Sequence, residues 1–218
     1  MSRAFSIPAS IACALISLAY PAPGQTDIVL SGGLNFPSMN FEHDSPPWPL
    51  AQFWDPGYSI AASVETHLSR AIAFVPSFEY ARYPWRDMTT PGWAPTYLQP
   101  MGAGEPSRLY RMSVAARLYV FSTERLGVFL STGAGYVIEK LGPYRLAPWN
   151  DVAFVGDLSG IVQYPDRYYW VHAVSGGAHF LISGDVGLDI AGEYFSNYTD
   201  RFHTSLILGV FYRIAEQR

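Results

Sequence analysis

Residues 185–195 read DVGLDIAGEYF, and residues 202–214 read FHTSLILGVFYRI. In both stretches large apolar side chains occupy the even-numbered positions, while the odd-numbered positions are mostly small or polar. Alternation with a period of two predicts a β-strand whose two faces meet different surroundings. Only residues 196–201 separate the two stretches, so together they predict an antiparallel hairpin.

Earlier stretches of similar length show the same alternation, and they bring the number of predicted strands to eight. The predicted strands are 27–36, 57–67, 71–82, 109–121, 126–139, 168–182, 185–195 and 202–214. Short turns follow the second, fourth and sixth strands, whereas long loops follow the first, third and fifth. An even strand number with short turns at one rim and long loops at the other is typical of outer-membrane barrels. The sequence therefore predicts an all-β fold, an eight-stranded antiparallel up-and-down transmembrane β-barrel.

Proline and glycine mark irregular positions in this pattern. Of seventeen prolines, only Pro76 falls inside a predicted strand, where its missing N–H predicts a local bulge. In the sixth strand the alternation changes phase around Ser175-Gly176-Gly177, which predicts a glycine bulge. Such a bulge would turn both His172 and His179 into the barrel.

The two faces of the strands predict which side meets lipid. An eight-stranded barrel has an interior just wide enough for side chains, so we expect the large apolar face outside and the small and polar face inside. Representative outward positions are Leu30, Val114, Leu188, Leu208 and Val210, and representative inward positions are Ser63, Arg117, Gly133 and Asp189. Outward aromatic residues cluster at the long-loop ends, namely Phe36, Tyr58, Tyr80, Tyr110, Tyr136, Tyr194 and Phe202. The opposite orientation would give a periplasmic lipocalin-like carrier.

Charged residues on the inward face predict a lumen charge network, because a charge in a low-dielectric interior must be paired. The predicted network is Glu65, Glu79, Arg111, Arg117, Asp185, Asp189, Glu193 and Arg213. The hairpin register pairs Asp185 with Arg213. Neighbouring strands bring Glu79 and Arg111 together.

Arg117 is predicted at mid-height in the lumen, with Asp189 or Glu65 as its partner. Its planar guanidinium can bind more than one carboxylate. Side chains held in this way would plug the lumen, and a small conducting pore is the alternative.

Residues 1–24 have the features of a cleaved signal peptide. Arg3 supplies a positive charge, residues 4–19 are apolar, and small residues precede the predicted cleavage site. The predicted barrel domain is therefore 25–218. Cys13, the single cysteine, would leave with the signal, so the mature chain is expected to form no disulfide and no thiolate metal site.

The composition excludes a nucleic-acid partner and suits a membrane wall. The net charge is −4 and no cluster of Lys or Arg occurs, so no basic patch can neutralise phosphates along a nucleic acid. Apolar residues make up 49% of the chain and charged residues only 15%. A soluble surface normally carries more charge than this.

No catalytic, cofactor or metal motif emerges, and we predict none of the three. The histidines show no ligand spacing. His203-Thr204-Ser205 has the His-x-Ser spacing of a membrane lipid-modifying enzyme but lacks the following Asn, and Ser196-Asn197 has Tyr194 in the His position. Because each match is incomplete, a lipid-modifying enzyme is only an alternative function.

Tryptophan is concentrated in the predicted long loops. The loop residues are Trp48, Trp54, Trp85, Trp93 and Trp149. Exposed aromatic residues would form a surface for an extracellular ligand. Alternatively, the same side chains pack on one another and cap the barrel.

The last strand carries a further pattern: Gly209 is followed at +3 and +5 by Tyr212 and Ile214. This resembles the terminal β-signal of the small outer-membrane barrel superfamily, of the outer membrane protein A and X type, and the likeness extends over 27–214. The resemblance implies a location in the bacterial outer membrane, contact with its lipid and insertion by the barrel-assembly machinery. The leading prediction is a non-enzymatic surface element or loop-presenting binder.

Overall fold

The computed structural model describes residues 25–39, 55–85, 98–123, 125–148, 160–162, 165–197 and 201–214. The strands in these ranges are β1 (Thr26–Met39), β2 (Gly57–His67), β3 (Ile72–Tyr83), β4 (Leu98–Gly104), β5 (Ser107–Ser122), β6 (Leu126–Lys140), β7 (Tyr144–Pro148), β8 (Gly160–Val162), β9 (Arg167–Ser183), β10 (Val186–Ser196) and β11 (Arg201–Ile214). The described part of the chain contains no helix with the length and hydropathy needed to cross a membrane.

Eight of these strands form a closed barrel in the order β1-β11-β10-β9-β6-β5-β3-β2, and each pairs with its neighbours in antiparallel fashion. The first and last strands close it, with Leu30 opposite Val210 in one ladder and opposite Ala62 in the other. The predicted eight-stranded antiparallel barrel is confirmed. Strands in the structure extend up to three residues beyond the predicted ends, because ladder pairing continues past the last alternating residue.

A small second sheet lies in two of the long connections. Strand β4 belongs to the connection between β3 and β5, and β7 and β8 belong to the connection between β6 and β9. They pair in the order β4-β7-β8. These strands were not predicted, because they are short and contain Pro100 and Pro148, residues that argue against a strand.

The outer wall of the barrel is apolar, in the orientation expected from the sequence. Leu30 is 63% exposed and Leu208 is 58% exposed, and Val114 and Val210 are exposed as well. Leu188 is half-buried, but it lies on the same face as the exposed residues two positions before and after it. The buried side chains project into the barrel, so the core lies inside the ring of strands.

The predicted bulge in β9 is wrong. The ladder to β6 keeps one register throughout, and the ladder to β10 shifts only past Leu181, at the end of the strand. Odd-numbered residues therefore stay inward on both sides of residues 175–177, as Ala173 and His179 show. His179 therefore faces inward as expected, whereas His172 faces outward and its Nε2 lies 2.9 Å from Thr132 Oγ1. Gly177 has another role: a Cβ there would meet the Phe129 ring and the backbone of β10, so glycine leaves room for Phe129 in the lumen.

The predicted bulge at Pro76 is also absent. Pro76 pairs with Val114 of β5 in a register that stays constant along the whole ladder. On its other side, the ladder to β2 omits Val64 and Glu65 without any change of register. The missing donor of Pro76 thus coincides with an interruption in one ladder and does not require an inserted residue.

Candidate functional site in the barrel lumen

The upper part of the lumen, towards the long loops, holds a cluster centred on Arg111. The register places Arg111 of β5 directly opposite Glu79 of β3, and Arg111 Nη2 lies 2.8 Å from Glu79 Oε2. Arg111 also forms an ion pair with Glu193 of β10, and its guanidinium stacks over the Phe195 ring at 4.4 Å. One buried cation thus lies between two carboxylates and an aromatic face.

The lower part holds a second cluster, centred on Arg117. Its Nη1 donates to Glu65 Oε2 at 2.6 Å and to Asp189 Oδ2 at 3.0 Å, so it contacts both carboxylates named for it in the sequence analysis. The guanidinium carbon lies 3.7 Å from the centre of the Phe129 ring. Tyr119 donates from its hydroxyl to Glu65 Oε1. Glu65 is fully buried, which makes this pairing necessary.

Asp27 extends the lower cluster and was missed by the sequence analysis. It is fully buried, and Oδ2 lies 3.6 Å from His67 Nε2 and 3.5 Å from His179 Nε2. Arg213 Nε approaches Oδ1 at 3.4 Å. Asp27 is the first residue of the predicted first strand, where alternation has no preceding residue to set the face. Its odd number was the available signal, since odd positions face inward along the whole strand.

The structure contradicts the predicted place of Asp185 in the network. The register of the hairpin is as expected, but Asp185 is exposed in the turn before β10. Only its backbone oxygen meets Arg213, whose N–H donates to it at 2.7 Å. The ladder between β10 and β11 begins at Val186, so Asp185 lies outside it and its side chain does not enter the lumen. The Arg213 guanidinium contacts Asp27 instead.

The two clusters lie on either side of a cavity of about 100 Å³. Small side chains line it, among them Ser63, Ser77, Ser113 and Gly133, together with parts of both clusters. Below the lower cluster, a wider opening of about 550 Å³ faces the short turns. Above the cluster centred on Arg111, the described residues form a buried apolar cluster, which we call the apolar upper cluster. Its members are Ala81, Tyr83, Leu109, Val137, Leu141, Val171, Ala173 and Phe195.

The lower cluster also has a spacing that suits a metal ion. Donor atoms of Glu65, His179 and Asp189 all lie within 4.8 Å of one another. However, Glu65 and Asp189 already bind Arg117 through their carboxylates, so the guanidinium is the resident cation. A metal ion would have to displace a buried arginine, which would then lose both partners.

His203 and Ser205 lie inside the barrel and are buried, away from the outer wall. His203 Nδ1 is 3.1 Å from the Tyr83 hydroxyl, and its ring stacks on Phe195 at 4.6 Å. These contacts place His203 against Tyr83 and Phe195 of the apolar upper cluster. A lipid substrate on the outer wall cannot reach it.

Trp85 is the one loop tryptophan of the sequence analysis within the described ranges. It is half-buried and packs against the apolar upper cluster. A Cβ at Gly104 would overlap its ring, so the glycine of β4 makes room for it. For Trp85 this packing favours the capping interpretation, while Trp48, Trp54, Trp93 and Trp149 lie outside the described residues.

No model of a protein family and no curated protein matches the sequence. Solved structures do match the fold. The crystal structure of Ail, the attachment invasion locus protein of Yersinia pestis, in complex with the heparin analogue sucrose octasulfate has a TM-score of 0.52 at 13% identity, covering 88% of this chain and 100% of Ail. Neisserial surface protein A has a TM-score of 0.53 at 13% identity, with 88% and 100% covered. The fold is that of the small eight-stranded outer-membrane β-barrels.

Proposed function

We propose that this chain is a non-enzymatic, non-conducting barrel of the bacterial outer membrane that anchors and presents its long loops. The observation that carries the proposal is the pair of arginine-centred clusters, one above and one below the central cavity. Each one fills the lumen with buried charges that hold one another in place. The barrel wall then serves as an anchor, and interactions with the surroundings fall to the loops.

The apolar outer wall supports the membrane location. Soluble monomers rarely expose contiguous apolar patches larger than a few hundred Å². Here exposed Leu, Ile, Val and Phe side chains occur on all eight barrel strands. Lipid hydrocarbon is a favourable surrounding for an apolar wall of this kind. A closed barrel also leaves no unpaired strand edge exposed to the hydrocarbon. Contact with outer-membrane lipid and insertion by the barrel-assembly machinery belong to the same proposal.

The energetics of the two clusters support a closed lumen. Removing one partner from a buried ion pair leaves an uncompensated charge, which costs about 3–5 kcal/mol. Arg111 and Arg117 each contact two carboxylates, so opening a path for solutes would break several such pairs at once. The pairs therefore favour a plug over a channel.

The long connections support the presenting role. Three of them leave the same rim, between β1 and β2, between β3 and β5, and between β6 and β9. The small sheet joins the last two through pairing of β4 with β7. Ail was crystallised with a heparin analogue, a property of that protein. For this chain we propose an extracellular ligand at the loop surface.

Conductance in planar bilayers tests the plug. The folded wild-type protein is expected to give no discrete current steps. A variant that combines E65A, R117A and D189A with E79A, R111A and E193A removes both clusters and is expected to conduct. Thr132→Ala on the outer wall is the control and should stay silent. Folding of each variant is checked by heat-modifiable gel migration.

Steady conductance by the folded wild-type protein would contradict the plug. A lipid A deacylation assay tests the enzymatic alternative, and no product is expected because His203 is sequestered in the lumen.

A further inference from the structure

Three cationic residues lie side by side on adjacent strands at the long-loop rim. Arg82 of β3 is the register partner of Arg108 of β5, and Arg108 is the register partner of Lys140 of β6. We call these three residues the basic row. Adjacent strands are about 4.8 Å apart, so the basic row spans roughly 10 Å across the wall.

The basic row belongs to the outer wall. Arg82, Arg108 and Lys140 are all exposed. The residues before and after each of them are buried inside the barrel, and the last of these, Leu141, lies just beyond the end of β6. Lys140 is the only lysine in the chain, so its placement beside two arginines is not a consequence of a lysine-rich surface. The register continues to Tyr58 on one side, where the basic row ends.

A row of mostly aromatic residues, which we call the aromatic row, indicates where these cations lie relative to the membrane. One step lower on the same face lie Tyr80, Tyr110 and Ile138, with Tyr168 next to Ile138 in register. The rings of Tyr80 and Tyr110 are 5.3 Å apart. Aromatic residues on a membrane barrel lie where hydrocarbon meets headgroups. The basic row, one step farther from the hydrocarbon, therefore lies at headgroup height.

Two charges of the basic row, those of Arg82 and Arg108, need a partner that the described residues do not supply. Like charges directly opposite one another on neighbouring strands are destabilising. Within the described ranges, Lys140 Nζ lies 3.2 Å from Asp166 Oδ2, but no ion pair involves Arg82 or Arg108. Two guanidinium groups side by side suit phosphate oxygens, which they can bind through paired N–H donors.

We infer that the basic row binds the phosphate groups of an outer-leaflet lipid headgroup. The inference rests on the membrane location proposed above and adds a specific contact to it. The site occupies one side of the barrel, on β3, β5 and β6, so the bound lipid has a fixed place on the wall. The aromatic row beneath would pack against the glycan or upper acyl region of the same lipid.

The experiment measures lipid retention by the purified full chain. The protein is reconstituted in nanodiscs of phosphatidylcholine containing diphosphoryl lipid A, extracted in mild detergent and analysed by native mass spectrometry. The test variant is R82Q/R108Q. The control is R70Q/R125Q, which removes the same charge from exposed positions at the short-turn rim. Lipid A stripped of both phosphates provides the second arm, and excess soluble inorganic phosphate the third.

The wild-type protein and R70Q/R125Q are expected to retain diphosphoryl lipid A, and R82Q/R108Q to lose about thirtyfold in affinity, since each cation near an anionic lipid contributes roughly fivefold. Dephosphorylated lipid A should be retained weakly by all three proteins, and soluble phosphate should not displace the lipid. Equal retention by folded wild-type protein and R82Q/R108Q would overturn the inference, as would an equal loss in R70Q/R125Q. Failure of the wild-type protein to enter nanodiscs would instead refute the proposed membrane location.

Discussion

Arg117 of β5 reaches past the intervening strand β3 to Glu65 of β2, with 2.6 Å between Nη1 and Oε2. On the other side it meets Asp189 of β10. The contact therefore runs across the lumen and joins walls that share no backbone hydrogen bonds. Such a link braces the barrel internally.

Replacing Arg117 with Ala should lower the free energy of unfolding by about 3–5 kcal/mol, because Glu65 and Asp189 would remain buried without their cation. Arg125→Ala is the matched control. Arg125 is exposed in a turn, and its loss should change stability by less than about 0.5 kcal/mol. Urea unfolding in lipid vesicles, followed by gel migration, measures both. Equal stability of the two variants would mean that Arg117 does not brace the lumen.

Asp27→Asn and Asp185→Asn separate the observed network from the one predicted from sequence. Asp27 is fully buried among His67, His179 and Arg213, and losing its charge should cost about 1.5–3 kcal/mol. Asp185 is exposed, so its variant should lie within about 0.5 kcal/mol of wild type. The same unfolding assay compares them, and a larger loss at Asp185 would restore its predicted place in the lumen.

Leu208→Arg and Leu68→Arg test the outer wall by depth. Leu208 lies near the middle of β11 and Leu68 lies at the short-turn rim, and both are exposed. In a membrane the central arginine should destabilise the protein by about 2–4 kcal/mol and the rim arginine by at most about 1 kcal/mol. Unfolding is measured in phospholipid vesicles. Similar small effects at the two positions would argue that the wall does not face hydrocarbon.

Gly177→Ala and Gly192→Ala test why glycine occurs in the strands. A Cβ on Gly177 would press on the backbone of β10 and the Phe129 ring, so we expect a loss of about 1–3 kcal/mol. A Cβ on Gly192 would meet nothing within 4 Å, so its variant should be neutral or slightly more stable. Thermal unfolding of both variants is the measurement. Tolerance of alanine at Gly177 would show that the lumen can repack around Phe129.

The fold could be predicted from sequence because a barrel wall repeats one rule along every strand. Alternation put Leu30 outside and Arg117 inside without any knowledge of the neighbours. The rule failed where a strand carries an apolar side chain on its inward face and a polar one on its outward face. In β9 the outward positions include His172, and the inward positions include Val171, so polarity alone suggested a change of phase that the backbone does not make.

The candidate site was predictable only in part, for a related reason. Parity identifies the charges that enter the lumen, but their partners depend on height and on strand closure. Glu79 and Arg111 are register partners and could be paired from adjacency. The contact of Asp27 with His179 spans strands that are far apart in sequence, and the pairing of β1 with β11 brings them together.

That closing pair also governs how the protein can be assembled. Leu30 must find Val210, a partner almost the whole length of the chain away, before either edge of the sheet is satisfied. Until then both edges carry unpaired amides and carbonyls, which hydrocarbon cannot hydrate. A sheet of seven strands therefore has the same two unsatisfied edges in a bilayer as a sheet of two strands. If the barrel lies in the membrane as proposed, stable insertion requires the final strand to pair, and contacts so distant in sequence form slowly.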